Sequence, residues 1–226
     1  MELTQLYANL FNQSIGQISS GEIEIDRQID DERDRRRGLT LLIRPDDEIK
    51  AGVRAFQEEL MKIDGAQYYQ PSSDLHVTAL SIISCYEGFD LSEIQIRDYE
   101  DIISQSLDDI PATRLKFKGV TASREAVLIQ GFPMGDGLGI LRDRLRSNFR
   151  SSDLQQSIDS RYRLATAHMT AVRFREELRF PAKFGRKLRD YRAAEFGEMN
   201  IKSFELVYND WYQKSNIVKT LRRFTV

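Results

Sequence analysis

Apolar residues recur at Leu3, Leu6, Tyr7, Leu10 and Phe11, a spacing that predicts an amphipathic helix over residues 1–16. A charged stretch comes next and closes on Asp34-Arg35-Arg36-Arg37-Gly38. Residues 39–43 form an apolar, β-rich run stopped by Pro45 and read as a strand. Asp46 or Asp47 then caps a helix reaching about residue 63, with Val53, Phe56, Leu60 and Ile63 on one face. Tyr68 and Tyr69 give a short extended piece before the turn Pro71-Ser72-Ser73-Asp74. A strand over residues 75–84 and a helix over 91–107, acidic on its outer side, complete this half.

The second half varies the theme. Residues 113–120 and 126–132 predict two strands joined by a tight turn at Ser123, Arg124 and Glu125. Gly135-Asp136-Gly137-Leu138-Gly139 opens a helix to about residue 149. No Lys-Ser/Thr comes after it, so it reads as a helix entry rather than a phosphate cradle. A strand over 165–174, a helix from Pro181 and final strands near 201–208 and 217–226 end the chain. Consecutive strands without regular βαβ alternation predict an α+β fold with largely antiparallel sheets. The expected architecture is bilobal: two pseudo-symmetric lobes, with outer helices, around a central cleft. Residues 1–37 read as an N-terminal extension and 38–226 as the main domain.

Composition adds charge placement. Formal net charge is only −2, so no whole-protein attraction to nucleic acid is expected. Residues 22–34 carry seven acids, whereas residues 161–192 carry ten Lys and Arg against Glu176, Glu177 and Asp190. Most of these bases read as a solvated surface, with a few available to a polyanion. Cys85 is the one cysteine, which excludes an internal disulfide and a cysteine zinc site. No basic-then-apolar leader and no membrane-length run is present, so a cytoplasmic location without membrane contact is the expectation.

The two histidines of the chain carry the chemistry. They stand in nearly the same setting, Leu75-His76-Val77-Thr78-Ala79 and Ala167-His168-Met169-Thr170-Ala171. Taken singly, each reads as an ordinary surface or core imidazole. Together, both preceding x-Thr-Ala with no third histidine, they ask for a shared role. Strand alternation puts His76 with Thr78, and His168 with Thr170, on one face. Histidine serves as proton donor or acceptor near neutrality, and a threonine hydroxyl donates to an anionic oxygen. Two such pairs facing each other can straddle a phosphodiester, one imidazole at the attacking oxygen and one at the leaving oxygen. The chain has no G-x-S-x-G turn and no H-E-x-x-H, which sets aside serine-hydrolase and zincin chemistry.

H-V-T-A at His76 and H-M-T-A at His168, about ninety residues apart, resemble the motif pair of the two-histidine (2H) phosphoesterase superfamily. That superfamily includes RNA 2′,3′-cyclic phosphodiesterases formerly called 2′-5′ RNA ligases. The resemblance spans residues 39–226 and implies a bilobal α+β fold with metal-independent catalysis and no cofactor. Carried over, His76 and His168 become the acid/base pair and Thr78 and Thr170 the phosphate-binding hydroxyls. The implied activity is the opening of a 2′,3′-cyclic phosphate on an RNA terminus or a small cyclic nucleotide, by a monomer unless shown otherwise. The alternative is a non-catalytic module binding a nucleotide or RNA end in the same cleft. Alanine at 79 and 171, where leucine is common in the family, is a departure. Tyr68 or Tyr69 is a candidate for base stacking, Phe180 and Phe184 weaker ones, and Trp211 reads as packing. Arg173 should face away from His168 and Thr170 by alternation, hence structural unless a bulge turns it.

Overall fold

The computed structural model describes residues 2–226, so Met1, the first position of the expected leading helix, lies outside the described residues. The chain runs α1 (Leu3–Ser20), β1 (Arg36–Ile43), α2 (Asp47–Met61), β2 (Tyr68–Tyr69), β3 (Val77–Glu87), a 3-10 turn (Leu91–Glu93) and α3 (Ile96–Leu107). It continues with β4 (Arg114–Ala122), β5 (Ala126–Met134), α4 (Gly137–Arg150), β6 (Met169–Arg173), α5 (Pro181–Asp190), β7 (Glu195–Asn200), β8 (Ser203–Asn209) and β9 (Lys219–Thr225). A four-stranded sheet has the order β3-β1-β8-β9 and a five-stranded sheet the order β2-β6-β5-β4-β7. Every pairing is antiparallel, and the fold is the expected bilobal α+β.

Three elements depart from expectation for local reasons. The first helix continues to Ser20 because its true stop is Gly21, at φ 88°, whose amide closes back on Ile18. The helix expected from residue 91 is broken. Asp90 caps a short 3-10 turn, Ile94 is extended at φ −129°, and α3 begins only at Ile96. Strand β7 had no expectation. It is a sheet edge whose Glu195 and Glu198 pair with Lys118 and Lys116 of β4, a charged pattern that hides a strand. α2 matches its pattern: the Asp46 side chain accepts from the Ile49 amide, and Ile49, Val53, Phe56 and Leu60 are buried.

The lobes are not successive halves of the chain. The four-stranded sheet takes β1 and β3 from the front and β8 and β9 from the end. The helices α1 and α2 pack on the five-stranded sheet with α5 against α1, and α3 and α4 pack with the other sheet. Helix α1 is built into the core through Tyr7, Phe11 and Ile18. Its Tyr7 hydroxyl acts as a ladder rung: it accepts from the amides of Gly131 (3.3 Å) and Ala167 (3.2 Å) and donates to the Gly131 carbonyl (3.0 Å). Only glycine permits this approach, since a Cβ at 131 would sit 1.9 Å from the Ala167 carbonyl. Burial pushes the Tyr7 phenol up to about 12, so it stays protonated and keeps its donor role. Ala167 immediately precedes His168, which places α1 behind one of the two histidines.

Candidate active site

His76 and His168 each stand one residue before the first residue of a strand, β3 and β6, one in each sheet. Both line a single cavity of about 190 Å³ together with Thr78 and Thr170. Folding thus brings the four motif side chains to one place.

The pairing registers explain how the residues after each motif are oriented. On β1, Leu42 pairs with Thr78 and Leu41 with Leu80, leaving Ala79 unpaired. On β5, Leu128 pairs with Thr170 and Val127 with Val172, leaving Ala171 unpaired. Each motif alanine is therefore the extra residue of a β-bulge, which shifts side-chain alternation by one. Arg173 consequently turns into the cavity with His168 and Thr170, correcting its expected outward direction. Ser81, five residues after His76 as Arg173 is five after His168, lines the cavity too. Both alanines are fully buried, and their carbonyls are taken by buried side chains. Ala79 accepts from Arg142 Nε at 2.8 Å, and Ala171 from Gln57 Nε2 at 2.8 Å.

The imidazoles are held by their Nδ1 atoms. His76 Nδ1 donates to the Asp74 carbonyl at 2.8 Å, which leaves Nε2 for the cavity. His168 Nδ1 lies 2.7 Å from the Thr166 hydroxyl, which can act as donor or acceptor. Burial lowers both imidazoles from 6.5 to about 4. For His76 the Asp74 carbonyl opposes this, while Arg44, His168 and Arg173 add to it. For His168 the further contributions come from Arg142 and Arg173. Both rings are therefore neutral at pH 7.

Other wall residues went unforeseen. Arg161 sets its guanidinium 4.4 Å from the Trp211 ring centre and donates to the Cys85 carbonyl. Trp211, expected to be packing, lines the cavity with Asn209 and Gln213. Tyr162 stands on the wall with 67% of its surface exposed. These come from irregular segments whose approach no periodicity announces, although the excess of bases around residue 161 was a signal. Tyr68 and Tyr69 are not among the cavity-lining residues. Tyr69 donates to the Asp64 carbonyl at 2.6 Å and packs on the core. Phe184 is buried against Phe174, and Phe180 is exposed without lining the cavity. Among the described residues, no three His, Cys, Asp or Glu side chains cluster as a metal site, and no helix is long and apolar enough to cross a membrane.

The chain has a two-lobed α+β fold with one His-x-Thr motif at a strand of each sheet. Among solved structures it is similar to E. coli LigT complexed with 3′-AMP, at 17% identity and TM-score 0.57, covering 84% of this chain and 98% of that one. TT0787 of Thermus thermophilus matches at 17% identity and TM-score 0.57, covering 83% and 97%. A conserved protein of unknown function from Agrobacterium tumefaciens, ATU0111, matches at 15% and 0.55, covering 92% and 97%. No family model and no curated protein matches the chain. At these identities the likeness establishes the fold.

Proposed function

We propose that the chain is a metal-independent cyclic phosphodiesterase that opens 2′,3′-cyclic phosphates on RNA ends or small cyclic nucleotides. The observation that carries this reading is the convergence of His76, His168, Thr78 and Thr170 on one small cavity. In the reaction one neutral imidazole takes a proton from water as its oxygen attacks phosphorus. The opposite imidazole, protonated, gives its proton to the departing 2′ or 3′ oxygen, and a monoester results. Thr78 and Thr170 donate to the non-bridging oxygens, where negative charge persists through the transition state. A bound phosphate anion supplies the charge that burial denies, restoring to one imidazole the proton it lacks in the empty cleft.

The cavity, about 190 Å³, is smaller than the ~300 Å³ at which pockets for whole drug-sized ligands begin. It suits a cyclic phosphate and its ribose, with the base at its rim against the exposed Tyr162 and the Arg161–Trp211 pair. In this reading Tyr162 takes the stacking role for which Tyr68 and Tyr69 were the sequence candidates. E. coli LigT, which shares this fold, has been solved complexed with 3′-AMP, ATP and NADP+, which supports a nucleotide as the class of ligand.

The test is a panel of nucleoside 2′,3′-cyclic phosphates and a short RNA ending in one, incubated with chelator and analysed for monoester. Turnover that survives chelator and disappears in His76→Ala and His168→Ala is the expected result. Tight binding with no monoester would establish the second reading, a nucleotide- or RNA-end-binding module.

A further inference from the structure

Residues 22–35 cross between the lobes and are fastened to both. The Asp26 amide donates to the Phe174 carbonyl at 2.8 Å, just beyond β6, and Asp30 pairs with Arg175 at 3.5 Å. On the other lobe, Lys214 donates to the Ile29 carbonyl, and Ile29 is buried. Arg36 binds Asp34 at 2.7 Å and reaches the Tyr212 hydroxyl at 3.4 Å. Where this strap passes the cleft, Asp26 faces Arg173. Its Oδ2 lies 3.7 Å from the guanidinium, and its Oδ1 accepts from the Tyr212 hydroxyl at 2.8 Å. The Arg173 guanidinium lies 5.4 Å from the Tyr212 ring centre. Arg173 thus stands between two spaces: the histidine cavity, and a second cavity of about 240 Å³ whose walls include Asp26, Glu24 and Arg36.

We propose that Asp26 sets the anion affinity of the histidine cleft by holding back part of the charge of Arg173. This rests on the reading of that cleft as an oxyanion site. Arg173 is turned into the cleft by the bulge at Ala171, where its guanidinium can share a phosphate oxygen with Thr170. A carboxylate on its other side competes for the same charge and the same donors. Asp26 and Arg173 side chains keep only 18% and 16% of their surface exposed, so solvent screens the pair incompletely. Asp26 is a positioning residue: it touches Arg173 and Tyr212, and acts on the bound anion through the arginine.

The experiment is calorimetric titration of inorganic phosphate into the full chain, the Asp26→Asn and Arg173→Gln variants, and the double variant. Asparagine keeps an acceptor for Tyr212 and removes the charge. The expected result is phosphate binding roughly 2- to 5-fold tighter in Asp26→Asn, the scale of a partly screened ion pair. Arg173→Gln should bind about 10-fold more weakly or worse, and Asp26→Asn should change nothing further in that background. A purely structural role predicts the opposite sign, because loosening the strap weakens binding. Weaker or equal binding in Asp26→Asn overturns the proposal, as does an unchanged gain in the Arg173→Gln background. If Asp26→Asn does not fold, Asp26→Ser supplies the same charge removal with a hydroxyl in place. Absence of phosphate binding by the unaltered chain defeats both this proposal and the oxyanion reading. Failure to turn over cyclic phosphates leaves the binding result to stand by itself.

Discussion

Arg142 of α4 donates through Nε to the Ala79 carbonyl at 2.8 Å, and its Nη2 reaches the carbonyls of Thr78 (2.9 Å) and Thr166 (2.8 Å). One buried guanidinium therefore stitches the bulge of the first motif to the residue that faces His168 Nδ1. Burial lowers Arg142 to about 10, still charged at neutral pH. Lysine cannot copy a three-carbonyl fork. Arg142→Lys should lower stability by about 2–4 kcal/mol, counting roughly two lost charge-assisted bonds partly replaced by the ammonium. That is roughly 4–16 °C in melting temperature. kcat should fall more than KM rises, since the ligand meets the histidines and not Arg142. An unaltered kcat with lowered stability would restrict Arg142 to a scaffold role.

His76→Ala and His168→Ala should each reduce kcat/KM by about 10²–10⁴-fold, the range for loss of a positioned acid or base. Because the two act on one proton circuit, the double variant should be little worse than the more damaged single one. Steady-state rates with a nucleoside 2′,3′-cyclic phosphate decide it. Multiplying losses would mean that the histidines serve separate functions.

The pH profile should differ between free and occupied cleft. Both imidazoles titrate near 4 when the cleft is empty, so the singly protonated pair needed for acid/base work is most populated in acid. A bound phosphate anion raises both proton affinities. The bell of kcat should accordingly lie at higher pH than that of kcat/KM, each reporting macroscopic values of the pair. Coincident bells would show that the ligand does not approach the rings.

How far the sequence revealed this site depends on which residues one asks about. His76, His168, Thr78 and Thr170 were legible because two copies of one short motif lie on strands, where alternation is fixed by covalent geometry. Arg173 was read the wrong way round. A bulge depends on how the partner strand aligns, and nothing in Met169-Thr170-Ala171-Val172-Arg173 announces it. Tyr162, Arg161 and Trp211 reach the cavity from irregular segments, where pattern gives no direction. The interleaving of the chain between sheets was equally hidden: β8 follows β7 by three residues yet belongs to the other sheet.

Thermal stability should carry the same histidine signature. The folded-state values near 4 lie below the unfolded 6.5, so the unfolded chain binds more protons between these limits. The stabilising contribution is whole above about pH 6.5 and is lost as pH falls toward 4. Melting temperature should decline across that window, and the decline should be shallower in a His76→Gln, His168→Gln double variant. Equal slopes in the two proteins would mean that other groups account for the acid sensitivity.

The N-terminal helix should matter to catalysis through one oxygen. Tyr7→Phe keeps the ring, which meets Phe132 edge-on at 5.4 Å, and deletes the hydroxyl that serves Gly131 and Ala167. Two buried amides and a carbonyl then lose a partner, which costs about 1–3 kcal/mol of stability. The consequence for activity comes from position. Ala167 is the residue before His168, and its amide is tied to that hydroxyl rather than to a strand, so its loss frees the backbone that aims the imidazole. kcat should drop several-fold with KM nearly constant, because Thr78, Thr170 and Arg173 still hold the phosphate. Amide hydrogen exchange supplies a readout independent of turnover: residues 167–169 should exchange faster in the variant while β1 and β8 keep their protection. Faster exchange throughout the molecule would show general loosening and would remove Tyr7 from any specific part in placing His168.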